Sequence, residues 1–506
     1  MASWARSCDV GVSSPGTDDE AAGVTAILVL DVGTTSVRAS IVDERLVIVA
    51  MASRPFPPST PFPGLVEFDA AELARLVLDA AHEVTATVDE PVTAVGITNQ
   101  RASTVVWDRA TGEPIGPGLG WQDLRTVGEC LAARATHDLA LAPNQSATKL
   151  PWLLDHVEGA RDRDLCFGTV DSWLVWSLTG GTVHVTDHTN AAVTGLLTAD
   201  GSGWSDAVLQ ALDIPAALLP GIVDSSGVIA DATALPGAPP IAALVGDQQG
   251  SLVGQGCVTP GRAKITFGTG GMLDVCGDGA APTSARRGDH GTFPIVAWSR
   301  DGQLTWGTEA IMLSAGTNVE WLRDDLGVIA TSADSHDVAA AVDDADGVIY
   351  VPALLGLGTP HWDYGARGTL VGLTRGTTRA HLVRAVLEGV AHRGADLVEA
   401  AAADSGLAID TVRVDGGMSA NPTFTQALAD ATGRVVEVSP VVEATTLGAG
   451  FLAGLATGTW DEMADADRSW TPARVVEPGA PLDREAWSRA VERAAGWIPE
   501  LSALDF

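Results

Sequence analysis

A loop between two apolar segments carries the side chains with the clearest chemistry. It reads Asp31-Val32-Gly33-Thr34-Thr35-Ser36-Val37-Arg38. Gly33 lets the backbone approach a ligand without an intervening Cβ atom. The amide and hydroxyl groups of Thr34, Thr35 and Ser36 suit phosphate oxygens, and the Asp31 carboxylate suits a hydrated Mg²⁺ ion. An ordinary hairpin turn is the alternative interpretation of this loop taken alone.

A second hairpin of the same kind lies in the other half of the chain. The mostly apolar segment Ala263–Phe267 leads into a Gly-Thr-Gly-Gly turn that contains Thr269, and another strand pattern follows. The repetition indicates two related halves that face each other, with a boundary near residue 257. A polyphosphate held between two lobes needs donors from both, so the second hairpin favours phosphate binding over an ordinary turn.

An acidic residue, Asp247, follows the apolar strand pattern Ile241–Val245. A carboxylate at a strand end is well placed to accept a hydroxyl proton or to bind a metal ion. The alternative is that Asp247 caps a short helix over Gln248–Val253.

Three further segments suit ligand binding. The glycines of Asp415–Asn421 precede a predicted helix at Pro422–Ala431 and would let a base or a phosphate approach the helix N-terminus, although a plain strand–helix turn is the default interpretation. The segments Asn99–Arg101 and Trp121–Asp123 combine amide, guanidinium, carboxylate and indole groups. These groups suit a polyhydroxylated ligand, and a tryptophan in an interdomain core is the alternative.

Composition limits the classes of partner. The chain has 506 residues, 46% of them hydrophobic, which is enough for two to four domains with large cores. Its formal net charge is 30 − 64 = −34, which excludes nucleic acid and anionic membrane surfaces as expected partners. Only two lysines occur, Lys149 and Lys264. GC-rich codon usage explains this bias, and adaptation to high salt stays open.

The cysteines and the N-terminus predict a cytoplasmic protein. Five cysteines are scattered along the chain without a C-x-x-C pair, which is typical of a reduced compartment rather than of disulfides or a zinc site. No apolar run approaches the roughly 20 residues that span a bilayer. Residues 1–23 lack an apolar signal core and are predicted to form a disordered tail.

The elements that must position these side chains alternate along the chain. The patterns predict strands at Val24–Leu30, Ser36–Val42, Leu46–Ala50 and Val92–Thr98, helices at Ala70–Thr87 and His381–Ala402, and a proline-rich loop at Arg54–Gly64. Alternating strands and helices over this length indicate an α/β fold.

The whole set of motifs resembles the FGGY carbohydrate kinases and, within them, the glycerol kinases. The resemblance runs from about Ile27 to Gly458 and includes further motifs at Gly96–Arg101, Thr104–Asp108, Ser146–Lys149, Gly168–Trp173, Val185–Ala191 and Gly372–Thr377. It implies an α/β fold with two lobes of the hexokinase/actin-like (ribonuclease H-like) type, formed by duplicated domains around a central cleft. Residues 24–256 would bind the acceptor and phosphate, and residues 257–500 would bind the nucleotide.

The resemblance also implies the cofactors and the role of each residue. ATP and Mg²⁺ would be bound, with Asp247 as the general base and with Asp31 and Asp247 near the metal. The phosphates and nucleoside would contact Thr34, Thr35, Ser36, Arg38, Thr269, Gly417 and Asn421. The acceptor, a small polyol or sugar, would be lined by Arg101, Ala102, Trp121, Asn144, Asp247 and Gln248. A homo-oligomer is left open.

Three positions depart from the glycerol kinase pattern, all in the expected acceptor pocket. Ala102 replaces a glutamate, Asn144 replaces a tyrosine, and Met272 replaces a phenylalanine. A lost polar partner for a substrate hydroxyl changes specificity strongly. Two enzyme hypotheses follow: a glycerol kinase with a reorganised pocket, or a kinase for a tetritol, pentitol or pentulose. A non-catalytic nucleotide-binding regulator is the third, and the presence of Asp247 argues against it.

Overall fold

The computed structural model describes residues 25–504. The tail expected at residues 1–23 lies outside the described residues, as does Cys8. No helix among the described residues is long and apolar enough to cross a membrane.

The strands and helices follow one another in the alternating order expected of an α/β protein. The strands are β1 Ala26–Val32, β2 Ser36–Val42, β3 Ile48–Pro55, β4 Glu67–Phe68, β5 Val92–Asn99, β6 Val105–Asp108, β7 Gly118–Leu119, β8 Leu165–Gly168, β9 Val185–Asp187, β10 Gly221–Val223, β11 Ser226–Asp231, β12 Pro240–Gly246, β13 Ala263–Phe267, β14 Gly271–Cys276, β15 Phe293–Arg300, β16 Gln303–Met312, β17 Ile349–Val351, β18 Thr369–Val371, β19 Thr411–Asp415, β20 Val435–Val438 and β21 Arg474–Val476. The helices are α1 Ala70–Thr85, α2 Val127–His137, α3 Lys149–His156, α4 Val170–Leu178, α5 His188–Ala192, α6 Asp206–Ala211, α7 Asp247–Gly254, α8 Thr317–Glu320, α9 Asp334–Ala339, α10 Arg379–Ser405, α11 Pro422–Thr432, α12 Ala444–Thr457, α13 Asp465–Arg468, α14 Arg484–Ala494 and α15 Pro499–Ser502.

Two copies of one strand arrangement form most of a thirteen-stranded sheet. In the first half the order is β3-β2-β1-β5-β12, with β1 to β3 antiparallel and β1, β5 and β12 parallel. In the second half β16-β14-β13-β19-β20 repeats the same order and the same directions. The two copies join through β11 and β15, where Ser226 pairs with Arg300. The internal repeat predicted from the two Gly-Thr hairpins is therefore confirmed.

Strand β1 is apolar from Ala26 to Leu30 because both faces of the sheet are covered. On β1, Leu28 and Leu30 pack into the cluster formed with helices α1 and α4. The intervening Ile27 and Val29 pack into a separate cluster with α7 and α12. Parallel strands covered on both faces read as continuous hydrophobic runs rather than alternating ones.

Helices α7 and α12 approach each other at backbone distance, and their N-termini carry site residues. A Cβ atom on Gly448 would lie 1.9 Å from the carbonyl oxygen of Gly250, and one on Gly254 would lie 1.9 Å from that of Ala444. Only glycine fits at these two crossing points. This contact joins a helix of the second half to the first half of the sheet. The Thr445 hydroxyl, near the start of α12, also donates to the carbonyl oxygen of Asp247 at 3.3 Å, which brings the starts of the two helices close together.

The third strand differs from its prediction. The pattern predicts Leu46–Ala50 followed by a loop over Arg54–Gly64, whereas β3 extends over Ile48–Pro55. Backbone pairing with β2 continues to the pair Ser36 and Pro55. Pro55 is tolerated because β3 lies at the edge of the sheet, where a missing N–H leaves no ladder partner unpaired.

Candidate functional site

Asp31 lies near the end of β1 and is almost fully buried. Its Oδ2 atom accepts hydrogen bonds from Arg38 at 3.1 Å and from the Thr446 hydroxyl at 3.2 Å. Burial raises the pKa of Asp31 to about 6, and the nearby charges of Glu443 and Asp247 act in the same direction against the attraction of Arg38. The site therefore contains more negative charge than its own cation neutralises.

Arg38 is shared between the two halves of the chain. It donates to Asp31 and, at 2.5 Å, to Glu443, the residue before helix α12. Arg38 is about one-third exposed. A phosphate group arriving at the loop would find a guanidinium already held in place, with some of its surface open to solvent.

Asp247 is the first residue of helix α7, and Gly246 occupies the N-cap position. Asp247 is therefore not the N-cap residue that the alternative interpretation expected, although its carboxylate accepts an amide of the first helical turn. Its Oδ1 atom accepts a hydrogen bond from the Gln248 amide at 2.8 Å and lies 3.5 Å from Nε of Arg101. Burial raises the pKa of Asp247 above its ordinary value, although Arg101 and the amide oppose the shift. About one-third of the side chain is exposed, so a substrate can reach it.

The two acidic residues fit a partly hydrated Mg²⁺ ion. Asp31 lies near the end of β1, and Asp247 directly follows β12 of the same sheet. Burial is the main cause of the raised pKa of each carboxyl group, and repulsion from Asp247 raises the pKa of Asp31 further. A cation between them would relieve that repulsion. Among residues 25–504 no group of three or more His, Cys, Asp or Glu side chains could hold a metal ion. Mg²⁺ typically uses one or two carboxylates and takes its other ligands from water and phosphate.

Arg101, which is expected to bind the acceptor, crosses the end of β12 next to Asp247. Its Cδ and Cγ atoms occupy the space that a Cβ atom on Gly246 would need, at 2.7 and 2.8 Å. Its Nη2 atom donates to Glu309 of β16 at 2.6 Å, and both side chains are nearly buried. Burial raises the pKa of Glu309 to about 7 in spite of this pairing. Arg101 thus connects Asp247 to the second half of the chain.

Trp121 reaches the loop between β1 and β2 rather than an interdomain core. Its side chain is exposed, and its indole Nε1 donates to the Thr34 hydroxyl at 3.2 Å. Its backbone N–H donates to Ser103 Oγ, and the Ser103 hydroxyl in turn donates a hydrogen bond to Gln100 Oε1. The structure brings this residue together with Thr34, and its expected place in the acceptor site stays a prediction.

Ala102 and Asn144, the two substituted positions expected in the acceptor pocket, lie near each other. Ala102 is buried in a left-handed backbone conformation, with φ of 59°. Its carbonyl oxygen accepts from Ser146, two residues after the exposed Asn144. Lys149 donates to the carbonyl oxygens of Gly120 at 2.7 Å and of Asn144 at 3.4 Å. No charged side chain is contributed by either substituted position.

A cavity of about 670 Å³ in the second half brings together the residues expected to bind nucleotide. Thr269, Gly417 and Asn421 all line it. A Cβ atom on Gly417 would meet no protein atom within 4 Å, so this backbone faces open space. Gly416 has φ of 82° and lies against Phe267, where any side chain would clash with the backbone. The size and the glycine-lined wall fit a nucleoside.

Motif reasoning missed several residues of the site. The outer wall of the cavity is formed by residues 332–337, where Ser335 accepts a hydrogen bond from Asn421 at 2.9 Å. Glu309 and Glu443 were also missed, since each meets its arginine only through the tertiary fold. Lys264 was missed as well, although its rarity in a chain with two lysines was a usable signal.

Comparison with known proteins identifies the family. The profile of the "FGGY family of carbohydrate kinases, N-terminal domain" matches residues 26–254, and that of the C-terminal domain matches residues 263–457. A glycerol kinase of Rhodopirellula baltica is 44% identical, covering 95% of this chain and 93% of the relative. One from Bordetella parapertussis is also 44% identical, covering 93% and 97%.

Solved structures agree with the sequence comparison. The Plasmodium falciparum glycerol kinase with ADP superposes with a TM-score of 0.86 at 27% identity, covering 93% of this chain and 98% of that one. The xylulose kinase of Lactobacillus acidophilus, at 22% identity, has a TM-score of 0.83 and shares the fold. The fold is thus the two-domain α/β fold of the sugar kinase/actin-like ATPase type, as predicted. The chain belongs to the FGGY family of carbohydrate kinases.

Proposed function

We propose that this protein transfers the γ-phosphoryl group of ATP to a primary hydroxyl of glycerol, forming glycerol 3-phosphate. The observation that carries the proposal is Asp247, a carboxylate with a raised pKa that remains open to solvent at the start of helix α7. The 44% identity to glycerol kinases over nearly the whole chain supports glycerol as the acceptor.

Asp247 acts as the general base. It accepts the proton of the attacking hydroxyl while the new P–O bond forms, and its raised pKa makes it a stronger base than an ordinary carboxylate. Arg101 lies 3.5 Å from Asp247 and orients both the carboxylate and a second acceptor hydroxyl. Gln248 follows directly and supplies an amide to the same ligand, and the exposed indole of Trp121 covers the C–H face of the acceptor.

The phosphate groups of ATP are held between the two hairpins. Thr34, Thr35, Ser36 and Arg38 surround the transferred phosphoryl group, and Thr269 contacts the phosphates from the opposite half. Mg²⁺ held near Asp31 and Asp247 would neutralise charge on the phosphate oxygens. Phosphoryl transfer depends chiefly on positioning and on charge neutralisation, which this arrangement of donors provides.

The nucleoside occupies the 670 Å³ cavity beyond Thr269. Gly417 leaves room for the flat base, and Asn421 is fixed at the cavity edge because its side chain also caps helix α11 by accepting from the Phe424 amide at 3.1 Å.

We also place the protein in the cytoplasm, since Cys130, Cys166, Cys257 and Cys276 are buried as free thiols.

A second candidate function is phosphorylation of a larger polyol or a ketose. The observation that favours it is the composition of the acceptor side, where Ala102 and Asn144 supply neither a carboxylate nor an aromatic ring. Removing a group that binds a substrate hydroxyl can change specificity by orders of magnitude. The family resemblance assigns Met272, on β14, to the same pocket.

A coupled ADP-release assay distinguishes these functions. Purified protein with Mg²⁺ and ATP is supplied with glycerol, erythritol, pentitols and ketopentoses, and kcat/KM is measured for each acceptor. Glycerol as the best acceptor supports the first function, and a tetritol, pentitol or pentulose as the best acceptor supports the second. ADP release that no acceptor stimulates would overturn both.

A further inference from the structure

Lysine is retained at only two positions in a chain that has 30 lysines and arginines, and one of these is Lys264. Lys264 lies on β13 and is fully buried, as is Asp274, its partner opposite on β14. The other 28 residues of this set are arginine. Lys264 is therefore one of two positions at which this arginine-rich chain has an amine instead of a guanidinium.

The Lys264 ammonium group is surrounded by three acceptors. Its Nζ atom lies 2.7 Å from Asp274 Oδ2, 2.7 Å from Gln248 Oε1 and 3.1 Å from the Thr266 hydroxyl. The contacts with Gln248 and Thr266 are hydrogen bonds and the contact with Asp274 is an ion pair, which suits a group that only donates. A planar guanidinium, with five donors in a fixed fork, does not match this compact arrangement.

This contact fixes which end of the Gln248 amide is available. Because Lys264 can only donate, the oxygen of the amide must face it, and the NH₂ group is the free end. Within residues 25–504, Gln248 Nε2 has no protein partner. Gln248 immediately follows Asp247 in the first turn of α7, so the free NH₂ group belongs to the same site as the base.

We infer that Lys264 is a positioning residue for acceptor recognition: it locks the Gln248 amide so that Nε2 donates a hydrogen bond to an oxygen of the acceptor. Lys264 itself never touches the substrate. The inference rests on the proposed function, because it takes Gln248 as part of the acceptor site. It adds that the acceptor hydroxyl next to Gln248 is bound as a hydrogen-bond acceptor, through a lone pair of its oxygen.

The test is a double-mutant cycle between Lys264 and Gln248. Lys264→Met alone leaves Asp274 buried without its cation, so the charge-neutral pair Lys264→Met with Asp274→Asn is made alongside it. Each is combined with Gln248→Ala, and kcat/KM for the best acceptor and KM for ATP are measured. We expect the charge-neutral pair to lower acceptor kcat/KM about tenfold, the scale of one hydrogen bond to a charged group, with KM for ATP unchanged within about twofold.

The decisive result is the coupling. Once Gln248 is alanine, removing Lys264 should lower acceptor kcat/KM by less than about twofold, since the residue through which it acts is gone. The matched control is Arg393→Met with Asp396→Asn, a buried ion pair on helix α10, which should lower Tm and leave acceptor kinetics unchanged.

Two outcomes would overturn the inference, and they are distinguishable from failure of the proposed function. Additive losses in the cycle, or a rise in KM for ATP equal to that for the acceptor, would show that Lys264 acts only structurally. A wild-type protein that phosphorylates no polyol would instead overturn the proposed function, and this inference with it.

Discussion

Replacing Glu309 with glutamine tests how the two halves of the chain share control of the acceptor site. Glu309 accepts from Arg101 at 2.6 Å, whereas the other partners of Arg101, Asp247 and Gln249, lie at 3.5 and 3.4 Å. The short contact is therefore the main restraint on the guanidinium. A hydrogen bond to a charged group contributes about 1.5–3 kcal/mol.

Glu309→Gln keeps a hydrogen bond but removes its charge. We expect a loss of about 1–2 kcal/mol in acceptor binding and orientation, which corresponds to a roughly 5- to 30-fold fall in acceptor kcat/KM. KM for ATP should not change, because Arg101 lies on the acceptor side. The measurement is a steady-state assay at saturating Mg·ATP with the acceptor concentration varied.

The same variant should also change how acceptor kcat/KM depends on pH. Burial raises the pKa of Glu309 to about 7, so the carboxylate that holds Arg101 becomes fully ionised only above that pH. Acceptor kcat/KM of the wild type should rise with pH through about 7, and this limb should be absent in Glu309→Gln because glutamine does not titrate.

Glu437→Gln serves as the matched control, since Glu437 pairs with Arg413 away from the site. It should keep the wild-type kinetics and the wild-type pH profile. If Glu309→Gln retains acceptor kcat/KM within about twofold and keeps the rising limb near pH 7, the role assigned to this ion pair is wrong.

Three further variants test the stability of the first half and the two pockets. Burial and the charge of Asp187 raise the pKa of Asp171 from 3.8 to about 6. The folded state therefore binds more protons than the unfolded state between these values, and the contribution of Asp171 to the free energy of unfolding falls by about 2.4 kcal/mol as pH rises from 4 to 7. Urea unfolding of Asp171→Asn at both pH values should show a correspondingly smaller decline than wild type, and an equal decline would refute the assignment. Ala102→Glu with Asn144→Tyr should raise the preference for glycerol over longer polyols roughly tenfold or more, measured as a ratio of kcat/KM values; an unchanged ratio would contradict the assignment of both positions to the acceptor pocket. Gly417→Val should fold normally, because its side chain enters open space, and should raise KM for ATP about tenfold or more without changing KM for the acceptor; normal ATP kinetics would place the nucleoside elsewhere.

Local sequence patterns were sufficient to predict the strand–turn–strand unit that occurs once in each half of the chain. The strand, Gly-Thr turn and strand of β1–β2 and of β13–β14 are encoded within about a dozen residues, by apolar runs on either side of turn-forming residues. The residues Asp31 and Asp247 were found because each follows such a run. Both faces of β1 and of β12 are covered, so each has an apolar run that ends close to its acidic residue, and this made the two acidic residues easy to locate.

Residues that complete the site through tertiary contacts could not be found in this way. Arg38 and Glu443 are 405 residues apart in the chain, and Asp31 and Thr446 are 415 apart. Helix α12 brings both partners to the first half of the sheet, and it does so through a glycine contact with α7 that no local pattern specifies. The extension of β3 through Pro55 was missed for a similar reason, since only its place at the sheet edge permits it.

Asp247→Asn tests the central claim most directly. The side chain keeps its size and its place at the start of α7, but it can no longer accept the hydroxyl proton. We expect kcat for the best acceptor to fall by about 10²–10⁴-fold, while the dissociation constant for Mg·ATP, measured by calorimetry, changes little. A variant that keeps nearly normal turnover would contradict the assignment of Asp247 as the general base and the mechanism built on it.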